Sequence, residues 1–199
     1  MKNCRPLMIE FMGSPEAGKT TAIDSIVKSL NDLGIITSKI RESAESVPSY
    51  YPKGSLSAHF WMRLNTAKSI SEQYHKNSDD VIIIDRGIYD TMFWNEIFKN
   101  KGELNKSECY VADSFFEMLH LKPDFTICLF VSPEESVFRR GGEGRIVTRA
   151  FISDFNTKLH YFTMMLKHQG TEVFELTTDK LSPEKVQTVL LNKILEFLK

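Results

Sequence analysis

The chain has 199 residues, a formal net charge of -1, 42% hydrophobic residues and 26% charged ones. These values suit one water-soluble α/β domain with a sizeable core. They speak against a molecule built to embrace a polyanion, which disfavours nucleic acid as a partner while leaving room for a local basic patch.

Met1 to Pro6 leads directly into an apolar run. No signal peptide is expected ahead of it, and no apolar run is long enough to span a membrane as a helix. Cys4, Cys109 and Cys128 are scattered without C-x-x-C spacing. Neither a zinc site nor a disulfide framework is expected, and a reducing, cytoplasmic setting fits. Cys128 lies in an apolar run and is expected in the core.

In chain order, Leu7 to Met12 reads as a buried strand, followed by a glycine turn and a helix with Ala22, Ile23, Ile26, Val27, Leu30 and Leu33 on one face. Gly34 closes that helix and Ile35 to Ile40 forms a second strand. A loop with Pro48 and Pro52 leads to a long helix over 56–76. Val81 to Ile84, closed by Asp85, is a β-branched run typical of a strand buried on both faces. Helices follow over 90–98 and 107–120, then a strand from Phe125 to Val131. Ser132, Pro133, Glu134 and Glu135 spell a capping box for a short helix reaching Arg140. Beyond a glycine-arginine stretch, a helix reaches about Gln169, with Ile152, Phe155, Leu159, Phe162 and Leu166 on one face. A strand over 172–176 comes next. Ser182 and Pro183 then cap a last helix, with Val186, Val189, Leu190, Ile194 and Phe197 facing inward. Strands alternating with helices imply a parallel sheet covered on both faces, with ligands at the carboxyl ends of its strands. Gly13, Glu42, Asp85 and Ser132 fall at those ends.

Gly13, Gly18, Lys19 and Thr20 fill the pattern G-x-x-x-x-G-K-[ST] between strand and helix, the context of a phosphate-binding loop. The backbone of Gly13, Ser14, Pro15, Glu16, Ala17, Gly18, Lys19, Thr20 and Thr21 is expected to curl its N–H groups around an anion, at the positive end of the helix. Lys19 is placed to hold the β- and γ-phosphates of ATP, and the Thr20 hydroxyl to ligate Mg²⁺. Asp85 is the second candidate for Mg²⁺, with a helix cap or a pairing with Arg86 as the alternative.

Arg86 offers a planar guanidinium for an anion, or an ion pair with Asp85 or Asp90. Glu42 can serve as the base for a hydroxyl acceptor. A monophosphate acceptor needs no base, so Glu42 favours a nucleoside and Arg86 a monophosphate; the sequence offers both. Glycines and arginines over 139–149 suggest a flap closing over the nucleotide. Arg140 is expected to face the donor, and Arg145 and Arg149 are candidates for the transition state, without spacing alone deciding between them. On the long helix, Trp61 could stack on a base while Arg63 or Asn65 reads an edge or a phosphate, beside Arg41 at the second strand's end; Phe60 and Trp61 also suit the core.

Together these stretches resemble the P-loop nucleoside and nucleotide kinases, most closely thymidylate kinases, with deoxynucleoside kinases as near relatives. The likeness runs over nearly the whole chain. Ile9 to Thr21 is similar to that family's phosphate loop, Arg41-Glu42 to its Arg-Glu-Pro segment, and Val81 to Arg86 to its Asp-Arg motif. Pro123 to Val131 with Ser-Pro-Glu-Glu is similar to its fourth strand and the helix leading to the lid. The resemblance implies a three-layer P-loop NTPase fold, a sheet of strand order 2-3-1-4-5, one kinase domain over 1–199 with a lid at about 139–149, ATP with Mg²⁺, an acceptor site under the lid, and often a homodimer. Departures lie at Ser14 and Pro15, at Ser43 and Ala44 after Glu42, and at Gly87, where an aromatic usually follows Asp-Arg.

The expected function is transfer of the ATP γ-phosphoryl group to a nucleotide or nucleoside. The alternatives are a slowly hydrolysing P-loop switch, or a kinase acting on a polynucleotide end or another small hydroxyl substrate. A guanine-reading N-K-x-D is absent; Asn105-Lys106-Ser107-Glu108 only approaches it.

Overall fold

A computed structural model describes residues 5–142 and 147–199, without the side chains of Ser43 and Glu45. Cys4 and residues 143–146 of the expected lid, Arg145 among them, lie outside the described residues. The elements run β1 (Leu7–Gly13), α1 (Lys19–Asp32), β2 (Thr37–Ile40), a 3₁₀ turn (Ser43–Ser46), α2 (Leu56–Lys76), β3 (Val81–Asp85), α3 (Ile88–Asn100), α4 (Lys106–Met118), β4 (Phe125–Phe130), α5 (Pro133–Arg140), α6 (Arg149–His168), β5 (Val173–Thr177) and α7 (Pro183–Phe197). Among the described residues the strands form one five-stranded sheet of order β2-β3-β1-β4-β5, and every pairing is parallel.

Strand alternation divides the core. Met8, Met12, Ile82, Ile84 and Cys128 face α3 and α6, packing with Phe93, Phe155 and Phe162. Ile9, Phe11, Val81, Ile83, Ile127 and Leu129 face α1 and α7, packing with Ile26, Leu30 and Leu190. Burial of both faces explains why β3 is apolar up to its last residue. Glu10 falls on the first of these faces, a carboxylate between two methionines, and is fully buried.

The capping box expected at Ser132 forms only in part. Ser132 does cap α5 through its Oγ, which accepts from the Glu135 N–H at 3.3 Å. The Glu135 carboxylate does not reach back; it takes the Arg139 Nε–H at 2.8 Å, one turn on. The reciprocal box forms at Asn105 and Glu108 instead, at 3.0 and 2.7 Å, so the near miss to N-K-x-D is the start of α4.

At the helix ends the inward faces stop short. Leu33 at the end of α1 is 59% exposed, and Val189 is only half-buried. Phe197 is 36% exposed but stacks on Phe125, with ring centroids 4.8 Å apart. Among the described residues no helix is long and apolar enough to cross a membrane. Cys109 and Cys128 are buried free thiols.

Candidate active site

β1 ends in the phosphate loop. Gly13 has φ 142°, and a Cβ there would stand 2.1 Å from the Leu129 carbonyl oxygen, so only glycine fits beside β4. Glu16 turns through φ 60° and Gly18 through φ 84°. Gly18 gives α1 no side-chain cap, and no acid sits in its first turn. The N–H groups of that turn therefore face an anion site with their dipole uncompensated.

The loop is braced from three sides. The Ser14 Oγ–H donates to Asn156 Oδ1 at 2.6 Å, and Asn156 Nδ2 donates to the Val131 carbonyl. Ser136 Oγ donates to the Pro15 carbonyl and Arg139 to that of Glu16, both at 3.2 Å. Thr178 Oγ1 lies 3.2 Å from the Ala17 carbonyl. Beside the loop a cavity of about 440 Å³ opens between Gly18, Thr21, Arg139, Thr178 and Pro183. Arg139 thus contacts the loop, while Arg140 is exposed.

Lys19 is 7% exposed and folds over the loop, its Nζ donating to the carbonyls of Ser14 at 2.8 Å and Gly13 at 3.2 Å. Burial, with Arg86 nearby, lowers its pKa to about 8, so a phosphate would meet a cation short of partners. Thr20 Oγ1 lies 3.3 Å from Asp85 Oδ2. Asp85 Oδ1 is buried with no hydrogen-bond partner, and burial raises this carboxyl's pKa despite the charges of Arg86 and Lys19. An orphaned carboxylate oxygen beside a hydroxyl, at the mouth of a phosphate loop, fits Mg²⁺, which takes one or two protein oxygens and the rest from phosphates and water.

Arg86 follows with φ 60°, a left-handed backbone costing about 1–3 kcal/mol unless its surroundings impose it. Its Nε lies 3.1 Å from Glu42 Oε1 and its Nη1 2.9 Å from Asp90 Oδ1. Burial opposes its charge, but Asp90, Glu42 and Asp85 outweigh it and hold the guanidinium protonated. All three members of this Glu42–Arg86–Asp90 bridge line a cavity of about 190 Å³ walled by His59, Trp94 and Phe98. Burial drives His59 down to about 3, so that wall is neutral.

The predicted acceptor residues separate. Arg63 is 2% exposed and reaches the cavity wall, but its Nη groups donate to Asn95 Oδ1 and the Thr91 carbonyl, both at 2.5 Å. It ties α2 to α3 and is largely committed. Arg41 and Asn65 line a neighbouring cleft of about 540 Å³ with Glu42, and Trp61 is half-buried away from both. Arg149 opens α6 behind the cap of Thr148. Sequence reasoning passed over Glu10, Asn156, Thr178 and the aromatic wall. Glu10 alone carried a signal, as a charge inside an apolar run.

A phosphate loop at the end of the central strand of a 2-3-1-4-5 parallel sheet, with an Asp-Arg pair closing the next strand, defines the P-loop kinase fold. More narrowly, it is the fold of the deoxynucleoside kinases, as three solved structures of deoxyadenosine kinase from M. mycoides show. The one with bound dCTP is 21% identical with a TM-score of 0.69, covering 96% of this chain and 100% of that one. The one with products dCMP and a flexible dCDP is 19% identical with a TM-score of 0.71, covering 96% and 100%. The one with bound dATP is 19% identical with a TM-score of 0.69, covering 95% and 99%. At such identities the likeness establishes the fold. No protein-family model matches the chain, and comparison with curated proteins gives no match.

Proposed function

We propose that this protein is a kinase that moves the γ-phosphoryl group of ATP to a hydroxyl of a nucleoside. The observation that carries the reading is the double pairing of Arg86. The described wall of the acceptor cavity sets two carboxylates, Glu42 and Asp90, against two guanidiniums, and both of these already have partners: Arg86 on the two carboxylates, Arg63 on Asn95 and Thr91. A dianionic monophosphate would have to compete with those partners for a cation, whereas a hydroxyl would meet a base. The flat, neutral wall of His59, Trp94 and Phe98 suits a heteroaromatic ring. The deoxyadenosine kinases that share the fold bind deoxynucleotides, which supports the class of ligand.

The loop N–H groups and Lys19 hold the triphosphate, and the cavity beside Arg139 takes the adenosine end. Mg²⁺ bound by Thr20 and Asp85 would neutralise charge on the β- and γ-phosphate oxygens. Glu42 accepts the proton of the acceptor hydroxyl as its oxygen bonds to the γ-phosphorus. The bond from that phosphorus to the β–γ bridging oxygen breaks, and ADP leaves. Arg86 orients Glu42, and the guanidinium groups expected in the lid would stabilise the equatorial oxygens.

Incubation with Mg²⁺, labelled ATP and a panel of nucleosides, nucleoside monophosphates and 5′-hydroxyl oligonucleotides tests this. Labelled monophosphates from nucleosides are expected. Diphosphates formed from a monophosphate in preference would restore the thymidylate kinase-like reading, and ADP formed equally with every acceptor would indicate a switch.

A further inference from the structure

Glu10 takes no part in the chemistry above, yet it is among the most completely buried charges in the molecule. It sits in the central strand and reaches across to the start of α3. Its Oε1 accepts the N–H groups of Gly87 at 3.0 Å and Asp90 at 2.7 Å, and its Oε2 accepts that of Tyr89 at 3.0 Å. The preceding N–H, that of Arg86, donates to the Phe11 carbonyl at 2.9 Å. Four consecutive-turn donors, on Arg86, Gly87, Tyr89 and Asp90, therefore end on two adjacent residues of one strand.

The contact is tight. A Cβ on Gly87 would stand 2.7 Å from Glu10 Oε2, which accounts for glycine where the resembling family carries an aromatic. It also leaves α3 without a side-chain cap of its own. An apolar residue at position 10 would orphan these buried N–H groups, and an amide would turn a donor toward some of them. A carboxylate satisfies all three; burial pushes its pKa up to about 7, against the pull of these same N–H groups.

We propose that Glu10 is a positioning residue for phosphoryl transfer. It fixes the first turn of α3 to the strand whose next residues become the phosphate loop. Gly13, which opens the loop, lies three residues along β1 from Glu10. Asp90, which holds Arg86, is itself gripped through its N–H by Glu10. One strand thus sets the distance between the donor phosphates and the Glu42–Arg86–Asp90 bridge, and the same grip holds Arg86 in its left-handed backbone. This inference rests on the kinase reading above.

The test is Glu10→Gln, nearly the same in shape, assayed for transfer at a temperature where both proteins are folded. The expected result is a kcat lowered about tenfold to a hundredfold, with the KM for ATP changed by no more than about twofold. Amide exchange at Tyr89 and Asp90 should accelerate. A variant that only unfolds at lower temperature while keeping wild-type kcat would overturn the inference and leave the kinase reading standing. Should Glu10→Gln not fold, Gly87→Ala presses on the same carboxylate from the α3 side. It is expected to give the same loss of kcat at unchanged KM for ATP, and wild-type kcat there would overturn the inference as well. A wild-type protein that transfers nothing to any acceptor would instead sink the kinase reading, and this inference with it.

Discussion

Lys19→Ala is expected to lower kcat by about a thousandfold or more while the protein stays folded. The two halves of that statement have separate causes. Lys19 is a buried cation over the loop, bonded among the described residues to the carbonyls of Gly13 and Ser14, which an incoming phosphate would displace. Its loss removes charge where charge develops. Its contribution to the empty fold is different: burial lowers its pKa to about 8 from 10.5, so the folded state holds this proton less tightly than the unfolded chain. Stability from this group is therefore lowest below about pH 8 and recovers as pH rises toward 10.5. Alanine removes a buried ammonium, so at neutral pH the variant should melt no lower than the wild type, as calorimetry would show. The same pKa sets a pH dependence of binding. ATP affinity should fall as pH rises above about 8, by at most about tenfold per unit, and Lys19→Ala should abolish that slope.

Glu42→Gln is expected to lower kcat for a nucleoside by about a hundredfold to ten thousandfold, the range of a lost general base. ATP binding should be unchanged, because Glu42 lies on the acceptor side of Arg86 and 39% of its side chain is exposed. Stability should change by about 1 kcal/mol or less, since Glu42 is partly exposed and Asp90 still pairs with the buried Arg86. Pre-steady-state measurement of the transfer step, with ATP affinity determined separately, distinguishes this from damage to the donor site. Normal transfer by this variant would leave a monophosphate, which needs no base, as the better acceptor.

Where the chemistry is local, the sequence is eloquent. The phosphate loop lies within a short pattern between strand and helix, and Lys19 and Thr20 open that helix, Lys19 folded onto the loop carbonyls and Thr20 beside Asp85. Asp85 and Arg86 were legible for a related reason: a charge that abruptly ends a fully apolar strand marks a sheet's carboxyl edge. The strand order came with the resemblance and matches the sheet.

Long-range contacts were not legible. Glu10 meets its partners 77 to 80 residues away, so only the fold reveals what it holds. Arg63 looked like a reader of substrate because its helix was correctly placed, but the packing of α3 against α2 gives its guanidinium to Asn95 and Thr91. Arg139 and Arg140 are adjacent in sequence, and the first bonds to the loop and to Thr178 while the second is exposed. Ser132 and Glu135 fit the capping-box pattern, yet an arginine one turn away proved the better partner for the glutamate. In each case the local rule was sound and a competing neighbour decided the outcome.

The central claim is that one loop grips the triphosphate while Glu42 and Arg86 receive the acceptor beside it. A crystal structure with Mg²⁺, a non-hydrolysable ATP analogue and a nucleoside tests it most directly. The prediction is that Lys19 Nζ leaves the Gly13 and Ser14 carbonyls for the β- and γ-phosphates, and that the nucleoside hydroxyl lies against Glu42 with its base on the Trp94–Phe98 wall. Lys19 still folded onto its own loop with the analogue bound elsewhere would contradict the account.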